Sequence, residues 1–455
     1  MTGQKETAGQ SPSPETQSHY HSLLAIISEE NFKKPLRERA IPFFRLAAVT
    51  TLNKRSLPSL FYFNLMNEGE KLELFLDDHG AKENNTYQHF RNLVASTRNF
   101  SIAAFQLSHL LERYHGYAPA EPEHAAEEFL TAGREMMGYI GDIITALITE
   151  TAAEFRRLGC GLRSGDVDTG NFKEVGKQEK LPRTLEMGSY QTTEQMVMRL
   201  AESYRKAAVR VNRDRYGKKI EPEEFAKLIP ARVNETKIKI LENTLHNLQT
   251  EYDTHIRKTQ AEADDPDLSS LRSLISIPMH LFEMSRWLIH FYERHENEIH
   301  SDASRDRISA IVDKNLVLRL IADFGLHYAH RYMMYGKAVS ERVMTRLART
   351  ARSMVALPKP SGLHARPAYY VTLVVEEHGT DAFLRVGDRT FDARSVLDLL
   401  EAGGLAADLE VGEVEFEADE RTLADLKILA ASNYCENEQI PKELSYIRVA
   451  RNIMP

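Results

Sequence analysis

Two cysteines in 455 residues, Cys160 and Cys435, are too few and too far apart for a disulfide framework or a cysteine-ligated metal site. That usage fits a reducing cytoplasm. No apolar run approaches the roughly 18 residues that a bilayer-spanning helix needs, so no membrane span is expected. The first eighteen residues, MTGQKETAGQSPSPETQS, lack both the apolar stretch of a signal peptide and the arginine-rich pattern of a transit peptide. Residues 1–18 read as a disordered tail. A Gly-x4-Gly-Lys-Ser/Thr loop is also missing, which removes the commonest phosphate-binding loop.

What is present is a chain long enough for roughly three domains, 42% hydrophobic, with an uneven charge. The formal net charge is −8, and residues 351–432, with 8 basic and 15 acidic side chains, account for −7 of it. That segment is disfavoured as a nucleic-acid binder.

From residue 19 to 350 the apolar period is helical. Ile238, Leu241, Leu245, Leu248, Tyr252 and Ile256 are spaced by three and four, which predicts a helix from about Asn234 to Gln260. Phe129, Met136, Ile140, Ile144, Leu147 and Phe155 form a second stripe, and Ile277, Leu281, Met284, Leu288 and Phe291 a third. A capping box at Thr192–Gln195, Gly116, Gly159 and Gly217, and the break around Pro266 mark helix boundaries. Eight or more helices are expected. The Gly-, Asp- and Lys-rich stretch 163–187 reads as an exposed loop that divides them into two lobes.

After Thr350 the pattern changes to short alternating strands and helices, in the order βαββαβα. "ARSMVAL", "AFLRV", "RTFDA" and "LEVGEVEFEA" read as strands; helices follow at "ARPAYYVTLVVEEHG", ended by Gly379, at "SVLDLLEAGG" and at "ERTLADLKILAAS". Leu409 and Val411 alternate on odd positions and Val414, Phe416 and Ala418 on even ones, so a β-bulge is expected at Gly412. The fold class is a mainly α-helical N-terminal region followed by a C-terminal α+β open-faced sandwich over 351–432, with 433–455 as an extension.

The chemistry concentrates at "GLHARPA". If a helix starts just after His364, the amides of Ala365 and Arg366 have no helical partner and face the imidazole. Pro367 suits the first turn. A phosphoryl group on the ring would meet these two amides, the positive end of the helix dipole and the Arg366 guanidinium. The competing reading is that His364 only caps the helix and Arg366 is a solvated charge.

The octapeptide SGLHARPA, Ser361–Ala368, resembles the active-site segment of HPr, the histidine-containing phosphocarrier of the sugar phosphotransferase system. The resemblance covers residues 351–432, about a fifth of the chain, and includes the βαββαβα order. It implies a phosphocarrier or regulatory protein, not a turnover enzyme, phosphorylated on Nδ1 of His364 by enzyme I at the expense of phosphoenolpyruvate, with Arg366 contacting the phosphoryl group. "ARSVLDLL" is similar to the family's second signature, which makes Ser395 the counterpart of a serine modified by HPr kinase. Ser395 is equally a good N-cap. Val396 and Leu397 correspond to the apolar pair used for partner docking, and Asp419 to the cap of the last helix. The alternative function is an unphosphorylated docking module on a helical scaffold.

The helical region offers less. It has no "TSH" with flanking glycines of the kind that carries the phosphohistidine of enzyme I, so self-phosphorylation is not expected. Glu242 and His246, Glu251 and His255, His280 and Glu283, and His290 and Glu293 share helix faces, but the apolar stripes run elsewhere, so most should face solvent. No metal or cofactor is expected. Trp287, Phe291, Tyr332 and Met333 read as helix–helix packing. The run Tyr204–Lys219 carries seven positive charges against one negative and reads as a solvated face, and nucleic acid is not expected as a partner. The partner of the helical region is left open.

Overall fold

A computed structural model describes residues 26–52, 57–162, 193–214, 216–217, 220–296, 302–436 and 439–451. The tail 1–18, the stretch 163–187 and Thr192 of the capping motif lie outside the described residues. The elements are α1 (Glu29–Leu52), α2 (Ser59–Asp78), α3 (Gln88–Tyr117), α4 (Ala125–Arg157), α5 (Thr193–Arg213), α6 (Pro222–Ala226), α7 (Glu235–His255), α8 (Gln260–Asp264), α9 (Pro266–Glu296), α10 (Asp302–Ser309), α11 (Lys314–Arg319) and α12 (His327–Leu347). A π-helical stretch, Leu320–Leu326, links the last two. Then come β1 (Thr350–Ala356), α13 (Ala365–His378), β2 (Ala382–Val386), β3 (Arg389–Asp392), α14 (Val396–Asp408), β4 (Glu413–Asp419), α15 (Glu420–Ala431) and α16 (Ser445–Arg451). The protein is thus mostly helical, with one small sheet toward the C-terminus.

The chain forms two compact units. One comprises Met1–Ile102, Ile140–Gln178 and Glu298–Val312; the other comprises Ala103–Tyr139, Glu179–Asn297 and Asp313–Pro455. Each unit is assembled from three separate segments, and the division expected near 163–187 falls outside the described residues. In the first unit Phe44 and Phe90 approach the ring of Phe155 at 4.8 and 5.4 Å, and Arg91 pairs with Glu73 and Asp77 at 2.6 and 2.7 Å.

In the second unit α5, α7, α9 and α12 pack as a bundle. The six-residue stripe of α7 is buried throughout, and Asn234 caps the helix by accepting from Lys237 N–H. Helix α9 is apolar around most of its circumference because it is central: Ile275, Ile277, Leu281, Phe282, Met284, Leu288 and Ile289 are all buried. In α4 the stripe passes through Met137, buried, whereas Met136 is only half-buried.

The C-terminal sheet has the order β1-β4-β2-β3 with antiparallel neighbours, pairing Val355 with Val414 and Leu384 with Phe416. One face carries Val355, Leu384, Val414, Phe416 and Ala418 into a core shared with α13, α14 and α15. The other keeps Met354 and Phe383 exposed among Arg352, Arg385 and Glu417, which are ion-paired.

The bulge expected at Gly412 is absent. Helix α14 runs through Gly403 and Gly404 to Asp408 and closes on a Schellman motif: Val411 N–H donates to Ala406 O, Glu410 N–H to Ala407 O, and Glu410 is left-handed at φ 54°. Leu409 and Val411 belong to this cap, and the strand begins only at Glu413, so no change of face within it is needed.

Several contacts tie the α+β segment to α5, among them the Lys206–Glu377 and Arg421–Glu202 ion pairs at 2.6 and 3.2 Å. Arg205 of α5, buried, donates from Nη2 to the carbonyls of Glu376 and Glu377 at 2.6 Å each, capping the C-terminus of α13. Gly379, at φ 68°, ends that helix, and a Cβ there would run into the Arg205 guanidinium. Gly379→Ala should therefore cost about 2–4 kcal/mol in urea unfolding. Gly80→Ala in the first unit, at φ 73° with open space around it, should cost only about 1 kcal/mol for the backbone. Equal losses at the two sites would show that Arg205 does not need the space.

Candidate functional site

Helix α13 begins at Ala365 because its flanks allow nothing else. His364 is extended at φ −89° and ψ −175°, and its carbonyl accepts the first helical bond, from Ala368 N–H at 3.0 Å. Pro367 takes a first-turn position at which a missing N–H is no loss. The amides of Ala365 and Arg366 consequently find no acceptor among the described residues, and both residues are exposed. Arg366 has no ion pair among the described residues, and the His364 ring is about half-exposed.

The loop before the helix is pinned from two sides. Buried Leu363 turns its carbonyl toward α14, where a Cβ on Gly403 would lie 2.5 Å from the oxygen. Only glycine lets α14 close on that loop. From the other side, Lys359 N–H donates to the Asn433 side chain at 2.9 Å, and Asn433 Nδ2 donates back to Lys359 O at 2.7 Å.

Asn433 opens a left-handed turn in which Asn433, Tyr434 and Cys435 have φ of 50°, 55° and 55°. Buried Tyr434 anchors the turn by donating to Ala356 O at 2.9 Å. The next residue is Glu436, whose Oε1 lies 3.1 Å from His364 Nε2, an ion-pair distance without hydrogen-bond alignment. The Glu436 carboxylate thus stands on the Nε2 side of the ring, away from Nδ1. Glu436 was not among the candidate residues. The signal that marks its segment is the apolar set Tyr434, Ile440, Leu444 and Ile447, all buried in the sheet's core.

The remaining candidates separate. Ser395 caps α14 by accepting from Asp398 N–H at 3.1 Å, and its hydroxyl donates to Asp398 Oδ1 at 2.8 Å. Leu397 is 77% exposed, whereas Val396 is half-buried against the core and does not pair with it as a free surface. Asp419 caps α15 by accepting from Arg421 N–H. Neither family models, curated proteins nor solved structures match this chain.

The histidine–carboxylate pairs of the helical region do not all face water as expected. Exposed His246 and Glu251 do, but Glu242 pairs with Arg286 at 2.6 Å and His290 with Glu235 at 2.8 Å. His280 bonds Gln106 at 2.6 Å, and burial holds its ring down to about 3. Burial, with help from Glu242, pushes the Glu283 carboxyl up to about 7. Packing of α9 against α7 explains the difference, since a helix buried on most sides has no solvent face to spare. In the first unit His89, Glu150 and Glu154 converge, but Arg307 donates to both carboxylates at 2.9 and 2.6 Å, so the cluster is an ion-pair network already satisfied by guanidinium.

Glu283 carries a pH consequence. Between the ordinary carboxyl value and about 7, the folded protein keeps a proton that the unfolded chain has released. Stability contributed by that proton is present below the ordinary value and is lost as pH rises to about 7. Urea unfolding at pH 5 and pH 7.5 should show wild type losing about 2 kcal/mol more than Glu283→Gln. Parallel pH profiles would contradict the shift.

Proposed function

We propose that residues 351–432 form an HPr-like phosphocarrier module, and that the protein is a cytoplasmic phosphocarrier or regulator coupling phosphotransferase status to its helical region. One observation carries the reading: a half-exposed histidine directly precedes a helix whose first two amides are exposed and, among the described residues, unpartnered, with an arginine beside them that has no ion pair among those residues. The strand order and the segment SGLHARPA support it.

The chemistry is a transfer between nitrogens. The P–N bond of a phosphohistidine on enzyme I breaks, its electron pair returns to the donor ring, and a new P–N bond forms with Nδ1 of His364. Nε2 keeps its proton beside Glu436. Charge on the three phosphoryl oxygens is met by the Ala365 and Arg366 amides, by the α13 dipole and by the Arg366 guanidinium. Charge-assisted bonds of this kind contribute about 1.5–3 kcal/mol each, the dipole about 0.3–1. Since phosphoryl transfer mainly needs positioning and charge stabilisation, no cofactor is required.

A second reading, a docking module that is never phosphorylated, is favoured by Leu397, which at 77% exposure is the most exposed large apolar side chain of the α+β segment. It expects Leu397→Glu to abolish partner capture and His364→Ala to leave it intact.

The phosphocarrier reading is tested with enzyme I and radiolabelled phosphoenolpyruvate. Acid-labile, base-stable label should reach about one phosphoryl per chain, vanish in His364→Ala and form about tenfold more slowly in Arg366→Ala. Gly403→Ala should slow labelling by displacing the Leu363 carbonyl, and Gly404→Ala, which faces open space, should not. An unlabelled wild type, or label surviving His364→Ala, ends the reading.

A further inference from the structure

The basic run on α5 is not the simple solvated face its composition suggested. Arg205, Lys206, Arg210 and Arg213 line a cleft of about 700 Å³ closed by Lys337 and Glu341 of α12, by the C-terminal half of α13 and by Arg394. Six cations and three carboxylates line it, a local excess of positive side chains although the neighbouring α+β segment is acidic.

Most of these cations are committed. Arg205 holds the α13 carbonyls, Lys206 pairs with Glu202 and Glu377 at 2.9 and 2.6 Å, Lys337 with Glu341 at 2.6 Å, and Arg394 with Asp381 at 2.7 Å. Arg210 and Arg213 are exposed and have no ion pair among the described residues. Three residues apart, they share one helix face. Each offers a planar fork matched to two oxygens of a phosphate. Val209, Leu373 and Tyr446 give the same cleft an apolar lining.

We propose that this cleft binds a phosphorylated small molecule with a planar or apolar body, its phosphates held by Arg210 and Arg213 and its body lying against Val209, Leu373 and Tyr446. The volume suits such a ligand. A polynucleotide fits less well, because exposed Glu376 and the paired Glu341 and Glu377 interrupt the run of free cations that a continuous backbone would need. The proposal is independent of the phosphocarrier reading and uses none of the residues around His364.

The test is calorimetric titration of the full chain with ADP, pyrophosphate and a single-stranded oligonucleotide at fixed salt. ADP should bind at least about tenfold more tightly than pyrophosphate, because only ADP has a body to place on the apolar lining. Arg210→Gln with Arg213→Gln should weaken ADP by about thirtyfold or more, with unchanged circular dichroism and melting, since both side chains are exposed. Lys34→Gln, an exposed cation of the other unit, and His364→Ala should leave binding intact. The proposal is overturned if neither ADP nor pyrophosphate binds below about 1 mM. It is equally overturned if ADP is no tighter than pyrophosphate, if binding survives the double variant, or if the oligonucleotide outcompetes ADP for Arg210 and Arg213.

Discussion

The guanidinium of Arg205 against the last carbonyls of α13 is the buried polar contact that joins the bundle to the α+β segment. It satisfies acceptors that a helix C-terminus otherwise leaves orphaned, places a positive charge at the negative end of the dipole, and does so while almost wholly buried. Gly379 is part of the same arrangement, because any side chain there would occupy the volume of the guanidinium. With the C-terminus of α13 thus neutralised, its N-terminus is left with exposed amides beside His364. The two ends of one helix are treated in opposite ways, one filled by the protein and the other open.

The open end is shaped by distant parts of the chain. Gly403 of α14 admits the Leu363 carbonyl, and Asn433 ties back the Lys359 backbone. A left-handed turn of three non-glycine residues, costly in isolation, is held by the buried Tyr434 ring and delivers Glu436 to the imidazole. The turn thereby sets the carboxylate on the Nε2 side of the His364 ring.

Charge is distributed to match. The α+β segment carries most of the chain's net negative charge, yet its two carboxylates nearest α5 lie in a cleft where cations outnumber them. Lys206 neutralises Glu377, and Arg205 is consumed by backbone carbonyls, so the surplus falls on Arg210 and Arg213. Counting charges along α5 could not have separated the committed cations from the free ones.

What the sequence alone determined follows from short-range physics. The α7 stripe and its start near Asn234, the βαββαβα order, the stop at Gly379 and the helix start after His364 each depend on neighbours within about one or two turns. Residues 409–412 were misread because odd-position apolar residues occur in a Schellman cap as readily as in a strand, and what decides is a hydrogen bond from Val411 back to Ala406. Glu436 beside His364, Gly403 against Leu363, Arg205 on α13 and the burial of Glu283 were decided only by tertiary structure. Each joins residues far apart in the chain, and a spacing rule that reads one helix or strand at a time has no term for a partner brought in by packing.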